Sequence, residues 1–409
     1  MLKCLNIRWN LLRSLLLFIS CLLLLAFYSY LKARPSYALY DNLTRQEREE
    51  SLALIHNSRG NEKYVYFKQL QGAGFNNQAQ EILLFHHLAL ITSRIYVYQP
   101  LVWRPRGEKS HVPLSAFLSG PTKSTISSAV FNEVCPESEI YRVNLRVNYI
   151  SQWERAVSVL SGNERCIVVT DWIFNWGYLA TPGIHTIWPS YQKYLANHFE
   201  WSDSVLSIVD RSQTKLRLHS NVHKDGEPYI AIHLRRGDFE GHCESLASDH
   251  IGFTTWATLP VLQLSVLLPA LDTSNATSIT AHCYPSLYRI LDAISHQARL
   301  HPNVRTLHVL HDGAWDHPLV YLQYYKLAEA LKNDAWAKRE GWPNGPMVRI
   351  TQSADVPIGW GEADWAVCVD VELGRRAEAF IGNGYSSLST QISALRLGDG
   401  GRPEDITFV

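Results

Sequence analysis

Tyr229-Ile-Ala-Ile-His-Leu-Arg-Arg-Gly-Asp-Phe239 begins as an apolar, β-branched run and ends in a cluster of polar groups. A run of that kind reads as a buried strand of a parallel sheet. His233, Arg235, Arg236 and Asp238 then sit where the strand empties into a crevice, the place where open α/β sheets bind ligands. Arginine suits a diphosphate there, because its planar fork donates two parallel hydrogen bonds and carries a permanent charge. A strand end with solvated basic residues is the plainer reading. It does not account for the whole cluster at once.

Working outward, the strand has companions. Lys63 to Leu70 carries the aromatic and β-branched residues of a strand, and Gly72 and Gly74 punctuate it. Ile82, Leu83, Phe85, Leu88, Ala89 and Leu90 recur at the spacing of a buried helix face within residues 76–93. Ile95 to Tyr98 returns as a strand. Cys166 to Asp171, Val304 to Leu310, Met347 to Ile350 and Glu378 to Gly382 are further strand candidates, with helical stretches over 284–299, 318–339, 362–376 and 388–397. Strands alternating with helices predict an α/β fold whose parallel sheets are covered on both faces. The length fits two Rossmann-like, doubly wound domains with a cleft between them, over 63–215 and 216–409. Residues 104–128, rich in Pro, Ser, Lys and Gly, read as an exposed loop.

With 409 residues, 46% of them hydrophobic, the chain can bury one large or two ordinary cores and is not a disordered protein. Its formal net charge is zero, so no chain-wide basic field argues for nucleic acid. Ser14 to Leu31 is apolar over about the length that spans a bilayer. Lys3, Arg8 and Arg13 precede it and Lys32 and Arg34 follow, which favours a cytoplasmic tail over 1–13. Residues 14–31 then read as the transmembrane signal anchor of a single-pass type II protein, and 32–62 as a polar, partly helical stem. A cleaved signal peptide is the competing reading. The remainder would face the lumen of the endoplasmic reticulum or Golgi, in keeping with glycosylation sequons at Asn42 and Asn275. Cys135, Cys166, Cys243, Cys283 and Cys368 lie beyond the anchor. Pairs Cys135–Cys166 and Cys243–Cys283 would each close a loop next to an expected strand, although spacing alone leaves the connectivity open. No Cys-x-x-Cys or metal-spaced His/Cys pair occurs, so no metal site is read.

Three blocks in order carry a family resemblance. His233-Leu-Arg-Arg-Gly-Asp-Phe239 resembles the signature of the GDP-fucose-dependent O-fucosyltransferase superfamily, which includes protein O-fucosyltransferases and the related α1,6-fucosyltransferases. Gly72-Ala-Gly-Phe-Asn-Asn-Gln78 is similar to its Gly/Phe/Asn-rich loop, and Glu378-Ala-Phe-Ile-Gly-Asn-Gly-Tyr-Ser-Ser-Leu388 to its C-terminal block. The resemblance implies a GT-B arrangement, with the donor nucleotide in the cleft and bound mostly by the C-terminal half. It implies inverting transfer of fucose from GDP-fucose to a hydroxyl of a protein or glycan, without a metal or other cofactor. Arg235 and Asn77 match its catalytic positions, Arg235 facing the departing β-phosphate. Gly74, Phe75, Asn76, His233, Arg236, Ser386 and Ser387 fall in the donor site, with Asp238 orienting an arginine. Glu378 would lie near the guanine, where relatives often carry Asp.

Glycosyl transfer must neutralise charge growing on the leaving diphosphate and remove a proton from the acceptor. Arg235, Arg236 and helix N-termini meet the first need. The second has no clear owner: some relatives use a Glu beside the glycine loop, and the matching position here is Ala73. Glu81, Asp171 and Asp238 are unranked candidates. Asp370-Val-Glu372 superficially resembles a metal-binding Asp-x-Asp, but within a helical pattern it reads as solvated acids. Two other readings share the fold: a transferase for another sugar nucleotide, and a sugar-nucleotide- or glycan-binding protein without turnover.

Overall fold

The run from Tyr229 forms a strand whose six residues are all buried, flanked on both sides by parallel neighbours. The computed structural model describes residues 2–58, 60–102, 111–219, 225–236, 239–263, 267–311 and 318–409. Its strands are β1 (Tyr64–Phe67), β2 (Ile95–Tyr98), β3 (Leu101–Val102), β4 (His111–Val112), β5 (Ile126–Ser127) and β6 (Ile140–Val143). They continue with β7 (Cys166–Val169), β8 (Tyr229–Leu234), β9 (Thr306–His311), β10 (Arg349–Gln352), β11 (Ala379–Gly382) and β12 (Ile406–Phe408). One sheet has the order β5-β2-β1-β7-β6 and the other β10-β9-β8-β11-β12, with every neighbouring pair parallel. β3 and β4 form a small antiparallel ribbon.

The strand orders fix where a site can form. In the second sheet the chain runs from β8 out to β9 and β10, then returns to β11 on the other side of β8. Crossovers leaving in opposite directions open a crevice at the carboxyl ends of β8 and β11. The first sheet reverses in the same way about β1, between β2 and β7.

Three N-terminal helices are α1 (Leu2–Ala33), α2 (Tyr37–His56) and α3 (Phe75–Ile91). α3 is buried over nearly its whole surface, because it lies between its own sheet and the C-terminal half. Phe85 on α3 stacks on Phe67 of β1 with centroids 4.4 Å apart. The Ser387–Gly398 helix reaches back onto the first half: Gln192 Nε2 donates to Leu397 O at 2.7 Å, and Gln80 Nε2 to Ser387 O at 3.0 Å. Both disulfides, Cys135–Cys166 and Cys243–Cys283, are present, and Cys368 is a buried free thiol.

Some expectations need revision. Residues 32–62 contain α2, whose Tyr40, Glu47 and Ser51 are buried against the catalytic fold. Tyr40 donates to Asp364 at 3.0 Å, and Glu47 accepts from Ser115 N at 2.9 Å, so this segment is part of the packed body. The described part of 104–128 is not an exposed loop; Val112, Leu114, Phe117, Leu118 and Ile126 are buried core. Pro, Ser and Gly there make short 3-10 turns rather than solvated chain. The helix expected from 284 starts at Leu287, after Pro285, with the Ser286 hydroxyl accepting from Arg289 N. The helix expected over 318–339 divides at Asn333, which caps the second piece. α1 contains one stretch long and apolar enough to cross a membrane by length and composition, and its Leu15–Leu17 are exposed. Asn42 and Asn275 are both exposed.

The junction of the halves includes a charged cluster at Glu372, which is only 4% exposed. Its carboxylate accepts from Trp201 Nε1 at 2.9 Å, Arg376 Nε at 2.7 Å and Arg375 Nη1 at 3.3 Å. Replacing Glu372 by Ala removes this shared partner, although Arg375 keeps Asp399 and Arg376 keeps Asp210 and Gln213. Such losses cost about 3–5 kcal/mol when fully buried. With the arginine side chains 21% exposed and still paired elsewhere, a loss below that range is expected, read as a lowered denaturation midpoint.

Candidate functional site

At the carboxyl edges of both sheets lies a cleft of about 910 Å³. His233 and Arg235 enter it from the end of β8, Ser386 and Ser387 from beyond β11, and Gly74 to Asn77 from the turn after β1. Residues far apart in sequence therefore meet because their strands share one direction.

His233 is buried, and burial followed by the nearby Arg235 charge pushes its pKa down to about 3. The imidazole is therefore neutral at physiological pH. Asn383 N donates to Ser389 Oγ at 2.9 Å, and Ser389 Oγ lies 2.8 Å from His233 Nδ1. With its oxygen already accepting, the serine hydroxyl is placed to donate to Nδ1. The tautomer assigned by this network carries its proton on Nε2, as a donor. Arg235 lies with its guanidinium carbon 5.4 Å from the Phe239 ring centroid.

Ser386 is the N-cap of the Ser387–Gly398 helix, yet its side chain makes no capping hydrogen bond. The first N–H groups of a helix have no intrahelical partner, and its dipole places positive potential there. Those groups border the cleft. Asn383 fixes the turn leading to them: its Nδ2 donates to Cys283 O at 2.7 Å and its Oδ1 accepts from Tyr385 N at 2.9 Å. The Cys243–Cys283 bridge thereby supports the same turn.

In the first loop Gly72 has φ +74°, a conformation that side-chain-bearing residues rarely adopt. Gly74 caps α3, and nothing lies within 4 Å of where its Cβ would be, so a ligand can approach the backbone. Asn77 faces the cleft, its N–H donating to Gly74 O at 3.1 Å. Phe75 lines the cleft but also packs against Trp201 and Phe117, so much of its role is in the core.

Two expected site residues, Arg236 and Glu378, do not join this group. Arg236 turns the other way, as successive residues leaving a strand do. It is 2% exposed, its Nη2 donates to Pro285 O at 2.6 Å, and its guanidinium covers Tyr284 at 4.3 Å. Glu378 is exposed at the amino end of β11, its N–H donating to Tyr229 O at the start of β8. At about 3.3 Å per residue, the strand puts some 13 Å between it and the cleft edge. Asp238 lies outside the described residues.

Among the described residues, the carboxyl group that lines the cleft is Asp370. It is 9% exposed, burial raises its pKa to about 7, and Ser353 Oγ donates to it at 2.8 Å. This corrects the reading of Asp370 and Glu372 as solvated acids. The overlooked signal was the helix face: Ala366 and Val367, four and three residues earlier, line the same cleft. Thr254, Thr255 and Trp172 are further cleft residues that no motif marked.

Of the base candidates, Glu81 is 1% exposed behind the wall, its pKa raised to about 8 by burial. It accepts from Leu70 N at 2.6 Å and from the Trp172 indole. Asp171 accepts from Leu145 N at 2.8 Å. Neither lines the cleft. Among the described residues there is no group of three or more His, Cys, Asp or Glu side chains that could hold a metal ion.

No protein-family model matches the chain, and no curated protein matches it in sequence. Among solved structures it is similar to POFUT1 in complex with GDP-fucose, with a TM-score of 0.53 and 13% identity. That match covers 86% of this chain and 99% of the other. POFUT1 in complex with GDP gives a TM-score of 0.52 and 16% identity over the same shares. The likeness shows a shared α/β, GT-B-like fold of parallel sheets.

Buried protonation states can be read directly. Carboxyl-carbon NMR should show Asp370 titrating near pH 7, and Ser353→Ala should move that midpoint up, since the lost hydrogen bond favoured the ionised form. The His233 ring should show no titration between pH 5 and 8.

Proposed function

We propose that this chain is a fucosyltransferase that moves fucose from GDP-fucose to a hydroxyl of a protein or glycan. The observation that carries the reading is the convergence of Arg235, the His233 imidazole and the N-terminus of the Ser387–Gly398 helix between β8 and β11. That set offers one permanent cation and several neutral N–H donors to a diphosphate. The shared fold of POFUT1, seen with GDP-fucose and with GDP, supports the choice of nucleotide sugar.

The reaction divides along the cleft. An acceptor oxygen attacks the anomeric carbon from the face opposite GDP, and the bond from that carbon to the β-phosphate oxygen breaks with its electron pair kept by the phosphate. Arg235 and the helix N-terminus face the charge that grows there. Asn77, across the cleft, orients the sugar or β-phosphate. The acceptor proton leaves to a base that the described residues do not single out. Guanine presents N1–H and an exocyclic amine on one edge, and Asp370, which lines the cleft, supplies the carboxylate that accepts from them. Leu70, Trp172, Phe174 and Leu179 form an apolar wall on the first half, suited to the acceptor side. The reaction proceeds without a metal, and α1 anchors the enzyme as a type II protein of the secretory pathway.

Calorimetry on the full-length chain in detergent tests this. GDP and GDP-fucose should bind with and without EDTA, and UDP and ADP should not. Absence of GDP binding by folded protein overturns the proposal. Arg235→Ala should lower transfer by about 10²–10³-fold, the usual loss for a donor facing developing charge, with the melting temperature little changed.

The pH dependence has a definite sign. Asp370 holds its proton below about 7, and only the ionised form accepts two hydrogen bonds from guanine. GDP affinity should rise as pH increases through 7, by at most about tenfold per unit, and level off above it. Asp370→Asn should weaken binding and flatten the profile; an unchanged profile would remove Asp370 from the guanine site.

A further inference from the structure

Three side-chain oxygens around the cleft have no hydrogen-bond partner among the described residues: Asn76 Oδ1, Gln80 Oε1 and Thr255 Oγ1. Their residues are 5%, 2% and 4% exposed, and all three line the cleft. Buried polar atoms are nearly always paired, so orphans from both halves around one cleft mark a place where a ligand supplies the partners.

Thr255 carries a second signal. Its φ is +48°, a region that a β-branched residue adopts only under constraint. Thr254 imposes the constraint, its N–H and hydroxyl both donating to Gly384 O at 3.1 and 3.5 Å. Phe253 fills the space where a Gly384 Cβ would sit. Backbone held in this way clusters at ligand clamps. Gln80 approaches the same turn from α3: its Nε2 donates to Ser387 O and Thr390 Oγ1, which fixes the amide and leaves Oε1 as the unpaired atom. Thr255 and Gln80 thus flank the N-terminus of one helix from opposite halves.

The chemistry of the orphans selects the ligand group. Amide oxygens only accept hydrogen bonds, and an ionised phosphate has none to donate. A sugar hydroxyl both donates and accepts. We infer that Gln80 Oε1, Asn76 Oδ1 and the Thr255 hydroxyl hold the ring hydroxyls of the sugar on the nucleotide, and so select a polyhydroxylated ring at this point. The inference rests on the donor-site reading above. Each of these oxygens is covered as it stands, so the side chains turn toward the ring on binding.

The test compares GDP with GDP-fucose by calorimetry on full-length protein. Thr255→Val keeps the shape and removes the hydroxyl; Thr255→Ser keeps the hydroxyl. Thr255→Val should leave GDP affinity unchanged and weaken GDP-fucose about three- to tenfold, the worth of one hydrogen bond. Thr255→Ser should restore most of it. Gln80→Leu should weaken GDP-fucose more than GDP. GDP-fucose bound equally by wild type and Thr255→Val, with GDP binding intact, overturns this inference alone. A parallel loss of GDP affinity in Thr255→Val also overturns it, by showing a structural role. Wild-type protein that binds no GDP overturns the donor reading and this inference together.

Discussion

A parallel strand cannot pair with the next through a hairpin; the chain must cross over and return in the same direction. Each of the two five-stranded sheets therefore opens all its carboxyl ends on a single edge, and here both edges border one cleft. Everything else about the site depends on that directional constraint. It brings the turn after β1 opposite the ends of β8 and β11, although some 150 and 300 residues separate them. The same constraint sends the amino ends of the strands, and Glu378 with them, to the far edge.

Within the cleft the halves offer different surfaces. The C-terminal half contributes Arg235, a neutral imidazole and a helix N-terminus, and the first half contributes an aromatic and aliphatic wall beside Asn77. A chain with zero formal net charge thus places one permanent cation, Arg235, at this cleft among its described residues. Burial then decides which groups ionise. It holds His233 neutral, raises Asp370 to about 7, and keeps Glu81 protonated behind the wall with a pKa of about 8. Each state follows from the cost of placing a charge away from water.

Second-layer contacts join site to scaffold. Asn383 links Ser389, Tyr385 and the Cys283 carbonyl, so the turn beyond β11 is tied to a disulfide and to His233 at once. Gln80 reaches from α3 to the helix start in the other half. These bonds, with the Glu372 cluster at the junction, hold the two halves in fixed relation. The proposed transfer would need that rigidity, since it depends on the alignment of donor and acceptor.

The sequence by itself determined the elements that local pattern controls. An uninterrupted apolar run specified β8, glycine punctuation specified the turn before α3, and strand–helix alternation specified parallel sheets. Arg235, Asn77, His233 and the two serines were legible because they stand at strand and helix ends. The tertiary structure decided what depends on direction and neighbours. It turned Arg236 into the core while Arg235 kept the cleft, and it placed Glu378 at the far edge of the sheet and Asp370 in the cleft. It buried most of 112–128 despite its loop-like composition, and it held Thr255 at a positive φ that no local pattern encodes. The physical reason is range: periodicity and turn chemistry act over a few residues, whereas burial, strand polarity and orphaned hydrogen-bonding atoms exist only once distant segments have met.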